Sequence, residues 1–540
     1  MSSTLARLAW GACLIVALLI PVCLVYGFPV TFLAWTPIHA KSLRKLFEIS
    51  FVLFSAGVAL HPRRREILTS LRTKGERIAG APQAIWVLTG VYFLLFLWVQ
   101  VTKYFALEIN FIPFLFYDYM LWFFEKGKFC YTGFLHGYYH LNLGMLLLLP
   151  IWKMVRSSWV LHVAHPLFAS AAAAPLFYWA KDRMENSLAA FVVSFAYLNF
   201  RYVQNLVDVG FVVEIFYPFF IFSAVCFASR GKRALYYMAV VLGLLVKEDS
   251  AIYFGALGAF FLFGRSTRLL GFWTILLSAA YLLLALKVFL PWSGSNILGG
   301  DIGNYRDLGS QPMQVVSNVL RSPWGFIKEL FVPLEKVRTF VKLTSKLLFL
   351  PLCSPWFILV IAAIYPVFFR SVNGNLFLQL SLFYSAAVLP FLFMAFVDGW
   401  RRIGRIGFVQ KKPLVQWVIM ILVIFLNGFN LRPLHFTRDD METIRLAKGI
   451  PQGSVVIAQG HLLPYLGYRQ WNFYLSPHYE TNKLTKDAYL NPDYYLFDFG
   501  ANSYPLTPEQ LRDKADLLRN TSGFKVLFED HRRLLLQREK

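Results

Sequence analysis

The sequence predicts an α-helical polytopic membrane protein of about 13 transmembrane helices that ends in a small α/β domain outside the bilayer. Three observations lead there. Apolar runs of about 20 residues, long enough to cross a hydrocarbon layer about 30 Å thick, recur along most of the chain. Of the 540 residues 57% are hydrophobic and only 15% charged, with a mean hydropathy of +0.52; a soluble domain carries roughly 25% charged residues. Beyond Asn430 the apolar runs stop, and polar segments with alternating helix and strand periods take over.

The net charge of +23 raises nucleic acid as a partner. The basic residues cluster in short loops between apolar runs, however, so they read as topology signals, with no nucleic-acid role expected. Four such loops occur: His61 to Arg77, Arg230/Lys232/Arg233, Arg265/Arg268, and Arg401/Arg402/Arg405 with Lys411/Lys412. Positive charge stays on the cytoplasmic side, so all four face inward. The five cysteines show no metal-ligand spacing and no disulfide framework. The first apolar run has no small-residue cleavage site and reads as a retained helix.

These constraints set the order of elements. Helices at about Leu8–Tyr26 and Phe47–Leu60, with the basic loop after them, form an N-terminal unit over 1–83. The main membrane domain spans 84–430. Its first helix, about Ala84–Val101, leads to an external loop at 102–157, in which His140–Trp152 is apolar but too short to span. Helices follow at about Ser158–Tyr178, Leu188–Val203 and Phe211–Ala228. Two half-length segments, Leu235–Val246 and Ala251–Phe263, flank a charged triplet, and Leu269–Leu290 is the next helix. After a second external loop at 291–340, half-segments Leu343–Leu352 and Trp356–Phe369 are broken by Pro351 and Pro355. Helices at Phe377–Val397 and Pro413–Phe429 close the domain. The path puts the N-terminus in the cytoplasm and 431–540 outside it. In that outer domain Met441–Lys448 and Pro508–Leu518 read as helices. Ser454–Ala458, Tyr494–Asp498, Phe524–Phe528 and Leu534–Gln537 read as strands.

Ionisable groups at membrane depth are costly and mark candidate sites. The sharpest is Lys247-Glu248-Asp249, three charges interrupting one apolar run. A charged hairpin turn at the interface is the plainer reading, but a turn needs neither three charges nor both signs. A second candidate is the first external loop. There Asp118, His136 and His140 alternate with Tyr117, Tyr119, Trp122 and Tyr138. Rings that stack on sugar faces beside a carboxylate that accepts a hydroxyl proton suit carbohydrate handling; the plainer reading is an aromatic belt with solvated charges. The third is Asp208 and Glu214, bracketing a short turn, with Arg201 as the expected partner; an ion pair and a functional role both fit. GxxxxGK[ST], GxGxxG and HExxH are all absent, which counts against nucleotide-driven enzymes, ATP-driven pumps and zinc proteases.

Several stretches resemble a family of bacterial multi-pass proteins grouped as domain of unknown function 2079. They are Phe116-Tyr117-Asp118-Tyr119-Met120-Leu121-Trp122, Asn205 to Glu214 with Phe216-Tyr217-Pro218, Leu244 to Asp249, and Phe383-Tyr384-Ser385-Ala386 with Pro390. In the outer domain, Ile450 to Val455, Leu463 to Arg469 and Asp493 to Asp498 continue the likeness. It runs from about Ala84 to the end, and the lysine–glutamate–aspartate run is its most specific piece. That family is similar in turn to the GT-C glycosyltransferases, which transfer a sugar from a polyprenyl-phosphate carrier on the outer face. The resemblance implies a GT-C-like fold with an acid in the first external loop, where Asp118 stands. Three positions depart from the family pattern: Pro113 replaces an aspartate, and Val212 and Phe383 each replace a histidine. These departures shift the expected chemistry onto Asp118, Glu214 and the triplet.

The resulting expectation is a glycosyltransferase of a bacterial inner membrane, with a polyprenyl-phosphate-linked sugar and membrane lipid as partners. Asp118, Glu214, Glu248 and Asp249 are the candidate catalytic acids. Lys247 is the phosphate partner, and His136, His140, Tyr117, Tyr119 and Arg201 are substrate-binding candidates. A divalent cation is compatible with this chemistry, though no ligand cluster demands one. The mechanism requires Asp118 and the triplet to face one shared cavity. The alternatives are a carrier or flippase with the triplet on its solute path, and a catalytically degenerate scaffold.

Overall fold

The computed structural model describes residues from His61 onward except for short internal stretches, the longest being 128–139, 292–313, 369–379 and 476–485. The first two expected helices and His136 lie outside the described residues. The segment expected as a basic loop is a helix, α1 (Arg64–Gly80), packed against the start of α7 at Leu188.

The membrane domain follows the apolar runs. After α2 (Pro82–Phe105) come α3 (Phe111–Glu125), a 3-10 turn at Leu143–Leu147 and α4 (Leu149–Val155). Helices α5 (Trp159–Ala171) and α6 (Ala173–Met184) form one continuous span. Then follow α7 (Ser187–Asn199), α8 (Arg201–Asp208), α9 (Phe216–Ser229), α10 (Arg233–Leu244), α11 (Ser250–Leu262) and α12 (Arg268–Leu284). Among the described residues three helical spans are long and apolar enough to cross a membrane, and six shorter apolar helices accompany them. The Trp159–Met184 span is 72% buried and central, whereas Pro82–Phe105 and Arg268–Phe289 are 33% and 28% buried. Each of the latter two presents exposed apolar side chains suited to lipid, Trp86, Val91 and Leu94 on the first and Phe272, Trp273 and Leu276 on the second.

The later part corrects the sequence reading at two places. Leu343–Leu352 is not a helical half-segment. After α13 (Pro323–Glu329), the amphipathic α14 (Leu334–Ser345) ends in turns, and a 3-10 turn covers Leu350–Cys353. Apolarity alone could not tell a packed turn with prolines from a helix. After α15 (Phe357–Phe368), the next described helix is α16 (Val388–Gly404), which starts later than expected and carries Asp398, Arg401 and Arg402 inside it. Gly399 permits this packing: a Cβ there would lie 1.9 Å from the Leu350 carbonyl oxygen. Helix α17 (Pro413–Leu426) completes the domain.

Charge separates the two ends of the bundle. At one end Arg230 bonds Asp182 at 2.6 Å, and the fully buried Asp398 accepts from Arg402 at 2.7 Å, Ser354 at 2.9 Å and Arg183 at 3.1 Å. Basic residues of the sequence's loops start α10 and α12 on this side, at Arg233 and Arg268, and end α16 there, at Arg401 and Arg402. The triplet lies at the far end of α10, a rise of roughly 18 Å away at 1.5 Å per residue.

The C-terminal domain comprises α18 (Arg438–Gly449), β1 (Val456–Ala458), β2 (Asn472–Tyr474), α19 (Lys486–Leu490), β3 (Tyr494–Asp498), α20 (Pro508–Asn520), β4 (Phe524–Glu529) and β5 (Arg533–Arg538). The sheet order is β2-β1-β3-β5-β4, with β1 parallel to β2 and β3, and β5 antiparallel to β3 and β4. Strand alternation divides its side chains. Ile457, Tyr495, Phe497 and Leu536 pack on α20, while Val456, Tyr494, Leu496 and Leu535 join the main core. A capping box at Thr437 and Asp440 starts α18. The domain rests on the outer segment: Tyr465 donates to the Tyr104 carbonyl at 2.6 Å, and Asn472 donates to the Tyr119 hydroxyl at 2.6 Å.

Candidate functional site

The site begins at the break between α10 and α11. The apolar run stops at Val246 because three ionisable residues follow. The chain reverses there, with the Ser250 amide donating to the Lys247 carbonyl at 3.1 Å and the Ser250 hydroxyl to the Leu244 carbonyl at 2.7 Å. The outer segment is seated on this turn. A Cβ on Gly144 would lie 2.9 Å from the Val246 Cα, so only glycine lets the two backbones approach this closely.

Each charge of the triplet has a partner from another element. The Lys247 ammonium lies 3.0 Å from Glu214 Oε1, and both residues are buried. Glu214 sits in the 3-10 turn Val213–Ile215 that precedes α9, and its other oxygen accepts from the Tyr117 hydroxyl of α3 at 3.4 Å. His140 Nδ1 meets Glu248 Oε1 at 2.5 Å. Asp249 accepts hydrogen bonds from Tyr217 and, at 3.1 Å, from Tyr253. Phe383 lies under the Lys247 ammonium at 5.9 Å, within cation–π range. All of these groups but Tyr117, which backs Glu214, line a cavity of 160 Å³, closed on another side by Tyr384, Pro366 and Ala387. Three carboxylates and one ammonium in so small a space make a concentrated polar site in a largely apolar bundle. Lipid-exposed charges at this depth would cost several kcal/mol.

Asp118 does not belong to this cavity, contrary to the shared site expected for it. It lines a separate cleft of 360 Å³ between the outer segment and the C-terminal domain. Successive residues on a helix turn by about 100°. On α3, Tyr117 takes the face toward Glu214, which directs Asp118 away, toward Tyr468 of the C-terminal domain. The Tyr468 hydroxyl donates to Asp118 Oδ1 at 2.7 Å. Burial pushes the Asp118 carboxyl up from its ordinary 3.8 to about 7, and the Tyr468 hydrogen bond only partly offsets this. Tyr119 lines the same cleft.

Glu214, Lys247, Glu248, Asp249, His140 and Tyr117 thus come together, while Asp118 and Tyr119 form a second group. Arg201 joins neither. It is exposed at the start of α8, and the ion-pair partner of Glu214 is Lys247, because α8 takes the segment expected as a turn and carries Arg201 to its outer side. Asp208 pairs with Lys103 at 2.7 Å. Tyr217, Tyr253 and Tyr468 were not among the expected site residues. Tyr217 and Tyr468 stand in stretches that carry the family resemblance, and Tyr253 lies four residues after Asp249, one helical turn on, a spacing visible in the sequence. Among the described residues no group of three His, Cys, Asp or Glu side chains has an arrangement that would hold a metal ion. The carboxylates of the cavity contact Lys247, His140 and the tyrosines.

A family model described as predicted membrane protein (DUF2079) matches residues 114–531. That range contains every stretch on which the resemblance was drawn, and it begins about thirty residues later than the sequence reading had it. No functionally curated protein matches the chain. Among solved structures, the chain is similar to the crystal structure of ArnT from Cupriavidus metallidurans bound to undecaprenyl phosphate. The TM-score is 0.46 at 11% identity, over 84% of this chain and 98% of that one. The same protein in the apo state gives a TM-score of 0.36 at 13% identity, over 84% and 97%.

Proposed function

The chain belongs to the DUF2079 family of predicted membrane proteins, and from that premise we propose that it is a GT-C-like membrane glycosyltransferase. In this reading it takes a sugar from a polyprenyl-phosphate donor at the extracytoplasmic face of a bacterial cytoplasmic membrane. The observation that carries the reading is the cavity at the α10–α11 break. It holds an ammonium and a histidine–carboxylate pair side by side, at the end of the bundle away from the basic loops. A transferase needs both groups around one substrate.

The roles follow from the chemistry. An ammonium has three donors, so Lys247 can keep its bond to Glu214 and still hold a phosphate oxygen as the sugar–phosphate bond breaks. Glu248, oriented by His140, takes the proton of the acceptor hydroxyl as the new glycosidic bond forms. The lipid phosphate leaves with the electron pair of the broken C–O bond. Tyr217 and Tyr253 hold Asp249 in place, leaving it to accept a sugar hydroxyl. This assigns the base to Glu248 rather than to Asp118, and no step uses a metal.

The test is transfer of a radiolabelled sugar from synthetic polyprenyl-phosphate donors by the full chain in nanodiscs. Glu248→Gln is expected to abolish transfer while lipid-phosphate binding persists, and Lys247→Ala to lose both. A chain that binds no lipid phosphate, or transfers normally with Glu248→Gln, refutes the reading. One feature favours the carrier: the cavity holds three carboxylates against one lysine, an excess that suits a cation or proton path. Lys247-dependent cation uptake into vesicles, without any lipid-linked product, would establish that alternative.

A further inference from the structure

The cleft that holds Asp118 has a composition the transfer step does not use. Its inner wall is Tyr104, Tyr119 and Trp159, with Ser157 and Ser158 at the head of α5, and its outer wall is the C-terminal domain from Lys448 and Gln452 to Tyr468. Two cations stand at the rim. The Lys448 ammonium lies 5.8 Å from the Tyr104 ring, and the Arg156 side chain, 71% exposed, reaches Glu125 at 2.8 Å. The volume of 360 Å³ falls within the range of small-ligand sites, which run from roughly 300 to 1,000 Å³.

We propose that this cleft binds an anionic carbohydrate, which on the transferase reading is the acceptor. The lining matches that ligand piece by piece. Trp159, half-buried at the head of α5 and backed by the buried Tyr104, offers ring surface to the C–H side of a sugar, while serine hydroxyls, Gln452 and Asp118 offer hydrogen bonds to its hydroxyls. Arg156 and Lys448 meet a phosphate or carboxylate substituent from opposite walls. A polyprenyl tail would find too many polar groups here, and a nucleic acid would need a longer row of cations. Helix α3 is the partition between the two sites: Tyr117 bonds Glu214 of the triplet cavity and Asp118 lines the cleft, so an acceptor extending past α3 would carry its reacting hydroxyl toward Glu248. The C-terminal domain then acts as half of a binding site, since its removal would leave the inner wall open.

The experiment measures binding alone, so its outcome is separate from that of the transfer assay. The full chain in phosphatidylcholine nanodiscs is titrated with glucose 6-phosphate, glucose and inorganic phosphate, with saturation-transfer NMR reporting ring-proton contacts. Glucose 6-phosphate is expected to bind with ring contacts. Lys448→Ala with Arg156→Ala, and separately Gln452→Trp to fill the rim, are each expected to weaken it at least tenfold. These are surface positions, so folding survives, and Arg201→Ala, exposed on α8 and part of neither cavity, leaves the affinity unchanged. Equal binding of inorganic phosphate and glucose 6-phosphate overturns the carbohydrate assignment. Insensitivity to the rim variants, or loss with Arg201→Ala, overturns the location. Replacing the lipid by phosphatidylglycerol is expected to change nothing; competition by that lipid would assign the cations to a headgroup and overturn the proposal.

Discussion

Asp118→Asn is predicted to stabilise the protein above neutral pH and to flatten its pH dependence. The argument starts from burial. The carboxyl sits buried between α3 and the C-terminal domain, burial outweighs its hydrogen bond from Tyr468, and its pKa rises from 3.8 to about 7. A group with a raised folded pKa holds its proton in the folded state over the window from about 4 to 7, where the exposed carboxyl has lost it. Stability therefore falls as pH rises through that window and levels off above 7. A rise of about three pH units, at 1.36 kcal/mol each, corresponds to roughly 4 kcal/mol, the order of magnitude of the whole effect. Asparagine cannot ionise but keeps an oxygen for the Tyr468 hydroxyl. The variant should match the wild type near pH 4 and exceed it by up to about 4 kcal/mol at pH 8. Thermal melting in nanodiscs at pH 4, 6 and 8 tests this, with hydrogen exchange of residues 460–468 reporting whether the domain lifts off first. Parallel pH profiles for wild type and variant would refute the burial argument.

The remaining predictions concern other parts of the chain. Lys247→Met leaves Glu214 buried without its cation and should destabilise the protein by about 3 kcal/mol, with Lys247→Met/Glu214→Gln recovering more than half; a single variant that melts with the wild type would show that Glu214 is fully hydrated. Gly399→Ala drives a methyl into the Leu350 carbonyl and should cost about 3 kcal/mol or more in melting experiments, whereas Gly90→Ala, with open space around it, should be neutral. A reporter active only outside the cytoplasm should give signal when fused after Lys540 and none after Arg72; the reverse pattern would invert the orientation read from the basic loops.

What the sequence determined by itself was set by local chemistry. Long apolar runs demand helices because unpaired backbone groups cannot be left in hydrocarbon. The stretch after Asn430 is too polar to continue the membrane helices, and the four strands expected in it, around Val456, Tyr494, Phe524 and Leu534, lie where alternation and apolar runs put them. The triplet stood out because charges inside an apolar run are expensive wherever they fold. The tertiary structure decided which groups meet. Lys247 pairs with Glu214 and not Arg201, and Glu248 with His140, across separations of 33 and 108 residues that no local period encodes. The short strand Asn472–Tyr474 escaped notice because its three residues carry too little pattern to stand apart from a loop. That Tyr117 turns to Glu214 and Asp118 to the separate cleft depended on the rotation of α3 about its own axis. On a helix whose neighbours are nearly all apolar, the hydrophobic pattern points in no single direction. Packing against Glu214 on one side and Tyr468 on the other sets that angle, and with it which acid can reach the lysine.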